Sequence, residues 1–235
     1  MLFRSNLPAE HIRELAPKGI ILSGGPMSVY ETGSPWCDVR LFELGVPVLG
    51  ICYGMQLACK ALGAEVQPVP SREFGKTTLR VGGESALLAD LPSETIVWMS
   101  HGDQVQAISG DFVSLARTDT CPIAAVKHTT REIYGIQFHP EVAHTPLGGT
   151  VLRNFLYRIC GCQGTWKIQS FLEEELVRLR ELSKSTEKLM ADNANLLKKL
   201  GDMEKQVLTF KAGGTRDQEL AALRKEIAEI GRAHV

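Results

Sequence analysis

Up to about Leu172 the chain alternates short apolar runs with turn signals and amphipathic stretches. Gly19 to Leu22, Val46 to Ile51, Thr95 to Met99, Ile123 to Val126 and Ile133 to Phe138 are short and β-rich, which predicts strands, while Glu10 to Leu15, Met55 to Leu62 and Thr150 to Ile159 carry helical spacing. Strands alternating with helices predict an α/β fold built on an open, mostly parallel sheet flanked by helices. Polar loops are expected between these elements, Arg72 to Gly75 and Ser100 to Val105 being the least apolar. In a parallel sheet the loops at strand C-termini build the site.

After Leu172 the pattern changes to a run dense in charges of both signs, without Pro, Cys or Trp. Placing Leu172, Leu179, Thr186, Asn193, Leu200 and Val207 at heptad position a puts Leu182, Leu189, Leu196, Met203 and Phe210 at d. This register predicts a long C-terminal helix or coiled coil over 173–212, and a lone Asn at an a position is how parallel two-stranded coils fix their register. A homodimer through 173–212 is one expectation. A solvated single helix is the other, because Thr186 and Glu175 interrupt the seam. Gly213-Gly214 then breaks the helix, and Leu220, Leu223, Ile227 and Ile230 resume an apolar stripe. The last residues, Glu229 to Val235, are what a common sequencing adapter would encode, so they are read as an artefactual tail. Three segments result: an α/β domain over 1–172, a coiled-coil-like helix over 173–212, and a short helix with that tail over 213–235.

Composition narrows the function classes. The 235 residues carry 26 Lys and Arg against 27 Asp and Glu, which argues against the basic excess of a nucleic-acid-binding face. No apolar run is long enough to span a bilayer, and the first residues lack the layout of a secretory signal, so cytoplasmic residence is expected. The six cysteines, Cys37, Cys52, Cys59, Cys121, Cys160 and Cys162, lack paired spacing and read as reduced thiols rather than a disulfide framework or a zinc site.

One cysteine stands apart. Cys52 lies in Gly50-Ile51-Cys52-Tyr53-Gly54-Met55-Gln56, directly behind the apolar run Val46 to Leu49. Glycines two before and two after suit a sharp strand-to-helix turn, where a β-carbon would clash. A helix beginning at the thiol would favour the thiolate. A buried structural cysteine is the alternative. A thiol nucleophile needs a base and a group to orient that base. His139 closes a β-run and is followed by Pro140 and Glu141; the proline stiffens the corner so that imidazole and carboxylate can meet. Ser23-Gly24-Gly25-Pro26 follows the first predicted strand and can offer bare N–H groups to an oxyanion. The Gly25 N–H is the expected donor, with the Tyr53 N–H as the second.

Taken together these residues resemble the class I (triad) glutamine amidotransferase family, and within it the glutaminase domains of GMP synthetases. The resemblance runs from the first residues to about Leu172. It rests on Gly19 to Pro26, Ser28-Val29-Tyr30-Glu31, Gly50 to Gln56, Arg72-Glu73-Phe74-Gly75, Ser100-His101-Gly102-Asp103, Phe138-His139-Pro140-Glu141-Val142 and Asn154-Phe155-Leu156. It implies that Cys52 attacks the side-chain amide of glutamine, that His139 serves as base and protonates the departing ammonia, and that Glu141 orients His139. It also implies that Gln56 helps hold the amino-acid end of the substrate, and that Ser100, His101, Gly102 and Asp103 close the glutamine pocket. The residues themselves leave Gln56 open as a plain helix residue and Asp103 as a turn former.

The same resemblance sets expectations about what is not in this sequence. The family's first strand and helix, with a Gly-Ser-Gln-Tyr-like loop, would lie before Met1. The Ser-Gly-Gly-Val-Asp-Ser-like phosphate loop of the ATP pyrophosphatase domain, which aminates XMP, is not found here. No cofactor is therefore expected in this chain, ATP and magnesium belonging to that partner domain. Two other readings stay open: a catalytically inactive fragment acting as a coiled-coil interaction protein, and another cysteine hydrolase such as a γ-glutamyl peptidase.

Overall fold

The computed structural model describes residues 6–108, 110–165, 168–213, 221–222 and 224–226, leaving aside the side chains of 70, 71, 168–171, 174 and 210–213. The chain divides into two compact units, Met1–Thr165 and Trp166–Val235. The apolar stripe expected at Leu220, Leu223, Ile227 and Ile230, the tail Glu229 to Val235 and the d position Phe210 fall outside the described residues or side chains.

In the first unit the elements run α1 (Ala9–Glu14), β1 (Ile20–Leu22), a 3-10 turn (Val39–Glu43), β2 (Val48–Ile51), α2 (Tyr53–Ala61), β3 (Glu65–Val81), β4 (Glu94–Ala107), β5 (Phe112–Arg117), β6 (Ala125–His128), β7 (Ile133–Ile136), and α3 (Gly148–Arg153), which continues as a π-helical turn (Asn154–Ile159). Among the described residues these strands form a seven-stranded sheet in the order β1-β2-β7-β6-β5-β3-β4. The α/β class and flanking helices are those expected, but the sheet is mixed. Only β1 with β2 and β2 with β7 pair in parallel. The pairings β7 with β6, β6 with β5, β5 with β3 and β3 with β4 are antiparallel. The reason lies in the connections: β3 through β7 follow one another without a crossover helix, and only a crossover returns a chain to a parallel neighbour.

The strand expected at Thr95 to Met99 extends through the polar Ser100 to Val105, and Arg72 to Gly75, expected as a loop, lies inside β3. Backbone pairing overrides polarity here: Glu73 faces His101, Phe74 faces Ser100 and Gly75 faces Met99 across the hairpin. The register shifts between Pro68 and Glu73, where a proline cannot donate to the ladder.

The site is carried by the parallel strands. Val48, Leu49, Gly50 and Ile51 are all buried, as are Ile133, Tyr134, Gly135 and Ile136, because both faces of β2 and β7 are covered. Helix α2 lies close against this layer. A β-carbon on Gly135 would stand 2.6 Å from Met55 Cγ, so the helix approaches β7 at a distance only glycine permits. One core cluster gathers Leu49, Met99, Tyr134, Ile136, Phe138 and Phe155, while another holds Val48, Tyr53, Leu57 and Ile133. Together they bury α2 at its start, where the candidate nucleophile stands. Asn154, fully inside the domain, donates its side-chain amide to the Leu87 and Ala89 carbonyls at 3.1 and 2.6 Å and fixes the closing helix.

In the second unit α4 (Ile168–Gly213) is one continuous helix of 46 residues, roughly 69 Å at 1.5 Å per residue. Among the described helices none is long and apolar enough to cross a membrane.

Candidate active site

Cys52 stands between β2 and α2 with φ 51° and ψ −107°, a backbone conformation that side chains other than glycine rarely take. Such strain is held by its surroundings and is typical of a nucleophile presented on a sharp turn. The two flanking glycines explain how the turn closes. A β-carbon on Gly50 would lie 2.6 Å from backbone atoms of Gly54 and Met55, and one on Gly54 would lie 2.1 Å from the Leu22 carbonyl oxygen. The Cys52 N–H donates to the Ile136 carbonyl at 2.8 Å, and its carbonyl accepts from Gln56 N at 3.1 Å, so the turn is tied to β7 and to the first turn of α2.

The base comes from the segment after β7. His139 N–H donates to the Trp98 carbonyl at 3.0 Å, the Thr145 hydroxyl donates to the His139 carbonyl at 2.6 Å, and Trp98 N–H donates back to that hydroxyl at 3.0 Å. His139 is thereby clamped to β4 on both sides of its own backbone. Its Nδ1 lies 2.7 Å from Glu141 Oε1. With Nδ1 engaged, the other ring nitrogen, Nε2, is the one left to meet a reactive thiol. Gly24 lies between the two groups: a β-carbon there would stand 3.1 Å from His139 Cε1 and 3.6 Å from Cys52 Cβ. Absence of that carbon is what lets nucleophile and base share one side of the Ser23-Gly24-Gly25-Pro26 loop. Gly25 itself lies against the Tyr53 ring, a built β-carbon standing 3.5 Å from Tyr53 Cγ.

Burial pushes the Cys52 thiol up to about 11, with the Glu141 charge adding to the rise, while the Tyr53 backbone N–H and the Gln137 amide draw it down. Desolvation therefore outweighs the helix N-terminus that the sequence led us to expect would favour the thiolate. The resting sulfur is a thiol, 3.7 Å from the Ser100 carbonyl, to which it can donate. A group that removes the proton is then a requirement of the chemistry.

The other sequence-predicted residues gather on the β3–β4 side. Gln56 is 3 % exposed and donates to the Asp103 carbonyl at 2.8 Å and to Gln137 Oε1 at 3.2 Å. His101 has both ring nitrogens engaged, Nδ1 with the Asp103 carbonyl at 3.0 Å and Nε2 with Glu73 Oε2 at 3.1 Å. It braces the strand pair. Asp103 accepts from the Tyr30 hydroxyl at 2.5 Å, and Gly102 lies under the Arg72 side chain. Ser100 offers its carbonyl to the sulfur. Sequence reasoning did not single out Gln137, Gly24 or Tyr30. Gly24 and Tyr30 sit within the motifs above and Gln137 within the run Ile133 to Phe138, but only the fold brings Gln137 against residues 56 and 52. An apolar cavity of about 560 Å³ lies alongside, lined by Ile20, Leu22, Gly24, Gly25, Tyr53 and Leu57 among others. Its lining includes neither Cys52 nor His139, so it flanks the reactive groups rather than containing them.

Known proteins are similar to the chain over most of its length. The family model described as glutamine amidotransferase class-I matches residues 1–159. GMP synthase (glutamine-hydrolyzing) of Bacillus cereus strain ATCC 10987 is 47% identical over 175 residues, which cover 74% of this chain and 34% of that protein. The Bacillus pumilus protein of the same name is 43% identical over 217 residues, covering 92% of this chain and 39% of the relative. The chain thus spans between a third and two fifths of the length of these relatives. Among solved structures, a protein assigned as one of the subunits of GMP synthase in Thermoplasma acidophilum superposes with a TM-score of 0.58 at 33% identity, covering 67% of this chain and 78% of that one. A glutamine amidotransferase from Thermotoga maritima, at 19% identity and a TM-score of 0.52, shares the fold over 60% of this chain and 77% of its own.

Proposed function

The chain belongs to the class-I glutamine amidotransferase family, and from that premise we propose that it is a glutaminase: it hydrolyses the side-chain amide of glutamine to glutamate and ammonia. The observation that carries this reading is the meeting of Cys52, at a strained turn, and His139, backed by Glu141 at 2.7 Å, on one side of Gly24.

In this reading His139 Nε2 takes the Cys52 proton as the sulfur attacks the amide carbon. The proton then passes from His139 to the leaving nitrogen, and ammonia departs as the carbon–nitrogen bond breaks. Water, deprotonated by the same imidazole, attacks the thioester and restores the thiol with release of glutamate. Gly25 and Tyr53 N–H groups receive the developing oxyanion, an arrangement worth about a hundredfold or more in rate per donor. Gln56 and the strand residues Ser100 to Asp103 border the glutamine pocket, through the Asp103 carboxylate and the backbone of that strand. No cofactor takes part in these steps. The six free cysteines support reaction in the reducing cytoplasm.

The names of the relatives support a place for this ammonia. A synthetase partner, an ATP pyrophosphatase domain or subunit, would use it to aminate XMP to GMP in purine biosynthesis. Release of glutamate from glutamine by the purified chain tests the hydrolysis. Unchanged release by Cys52→Ala would refute the nucleophile.

A second role is supported by α4, whose Leu179, Leu182 and Leu189 are each more than half exposed in the single chain. Such a stripe fits a homodimer through 173–212, with the glutaminase unit carried on it.

A further inference from the structure

Gln137 is the last residue but one before His139 and is completely buried. Its backbone N–H donates to the Ala124 carbonyl at 2.9 Å, which places its side chain beneath the nucleophile. There its amide joins a chain of contacts that starts at a backbone carbonyl. Gln56 Nε2 lies 2.8 Å from the Asp103 carbonyl oxygen and 3.2 Å from Gln137 Oε1, and Gln137 Nε2 lies 3.6 Å from Cys52 Sγ.

The direction of this relay follows from its far end. A carbonyl oxygen can only accept, so the Gln56 atom facing it is the NH2 group. That group is donor-only, so Gln137 must turn its oxygen toward Gln56, and its own NH2 group is thereby turned toward the sulfur. A buried donor aimed at sulfur distinguishes the two states of Cys52. Toward a neutral thiol the bond is weak, whereas toward a thiolate it is charge-assisted. The Ser100 carbonyl, 3.7 Å from the same sulfur, does the reverse and favours the protonated form.

We propose that Gln137 is a catalytic residue of this site, its amide holding the Cys52 thiolate in the attacking position and coupling it through Gln56 to the strand that carries Asp103. The inference rests on the reading of Cys52 as nucleophile and adds a group that neither the triad nor the oxyanion donors include. Its purpose is to offset burial: the packing that takes the sulfur out of bulk solvent disfavours a thiolate, and a preset donor recovers part of that loss.

Peptide-resolved alkylation of Cys52 by iodoacetamide across pH, on the full chain, tests this directly and needs no turnover. In Gln137→Leu, and in the near-isosteric Gln137→Glu, the rate of Cys52 alkylation at each pH between 7 and 9 should fall about tenfold or more. Glutaminase kcat should fall at least about tenfold while KM changes little, since the contact is made to the sulfur rather than to substrate. In the unsubstituted chain the Gln137 side-chain amide resonance should titrate together with Cys52. An alkylation profile unmoved in either folded variant, or an amide resonance indifferent to Cys52 ionisation, overturns the proposal. Absence of glutamate release from the unsubstituted chain would refute the glutaminase reading alone, because the alkylation profile still decides the role of Gln137.

Discussion

His139 Nδ1 lies 2.7 Å from Glu141 Oε1 with only Pro140 between them in sequence. The proline fixes the backbone so that two residues on one short corner turn their side chains toward each other. In the proposed hydrolysis the carboxylate would set which ring nitrogen carries the proton and stabilise the imidazolium formed when the thiol gives up its own. Glu141 is about half exposed (47%), so solvent shares in that stabilisation. Glu141→Gln should therefore lower kcat by roughly 10- to 100-fold, less than a fully buried orienting carboxylate would, with KM and melting temperature little changed. Steady-state glutaminase assays check this, and an unaltered kcat would remove Glu141 from the site.

The Cys52 thiol, pushed up to about 11 by burial, carries its proton at neutral pH. Alkylation in the absence of glutamine should accordingly be slow at pH 7 and climb about tenfold per pH unit toward that value. The same shift has a sign for stability. The folded state holds this proton more tightly than the unfolded chain, so the associated stability is complete below the ordinary thiol range and is lost as pH rises toward about 11. A fast, pH-independent alkylation near neutrality would show that Cys52 rests as a thiolate.

Gly54 tests the turn that presents this thiol. An added β-carbon would lie 2.1 Å from the Leu22 carbonyl oxygen, and neither backbone can yield without moving β1 from α2. Gly54→Ala should cost about 3 kcal/mol or more by chemical denaturation, at the upper end of overpacking penalties. Gly149, near the start of α3, has open space where a β-carbon would go. Gly149→Ala should be neutral or stabilise by up to about 1 kcal/mol. Equal effects at the two glycines would contradict the close approach of α2 to β1.

What the sequence disclosed and what it withheld divide along physical lines. Strands β2 and β7 are covered on both faces and so read as unbroken apolar runs, and the turn at Cys52 announces itself through Gly50 and Gly54. Strand β3 does not read as a strand, because Glu65 to Val81 contains Pro68, Pro70, Arg72, Glu73, Lys76 and Arg80. It is held by its pairing with β4, a long-range contact that local pattern does not encode. For the same reason Ser100 to Asp103 look like a loop yet form part of a ladder. Cys52, His139 and Glu141 were legible because each lies in a short motif with its own chemistry. The Gln56–Gln137 contact joins residues 81 positions apart, and only the pairing of β2 with β7 brings them together.

Leu179, Leu182 and Leu189 are 59%, 56% and 61% exposed along a helix of 46 residues. An isolated helix with so many leucines in water gains little from them, since burial of each is worth about 1.5–3 kcal/mol only when a partner covers it. A second copy is the partner proposed here: in a parallel, in-register pair Asn193 at an a position would meet its own counterpart, and Lys199 at g would meet Glu204 at e of the other chain. The full chain should therefore sediment as a dimer, and Leu189→Asp should convert it to monomer by placing two carboxylates opposite each other in the seam. Asn193→Val should tighten association while relaxing register or stoichiometry, because the buried amide pair is traded for apolar contact. Glutaminase kinetics should be the same in dimer and monomer, since the residues that form the candidate site all lie in the first unit. A wild-type chain that remains monomeric at every accessible concentration would leave the helix solvated and exclude the dimer.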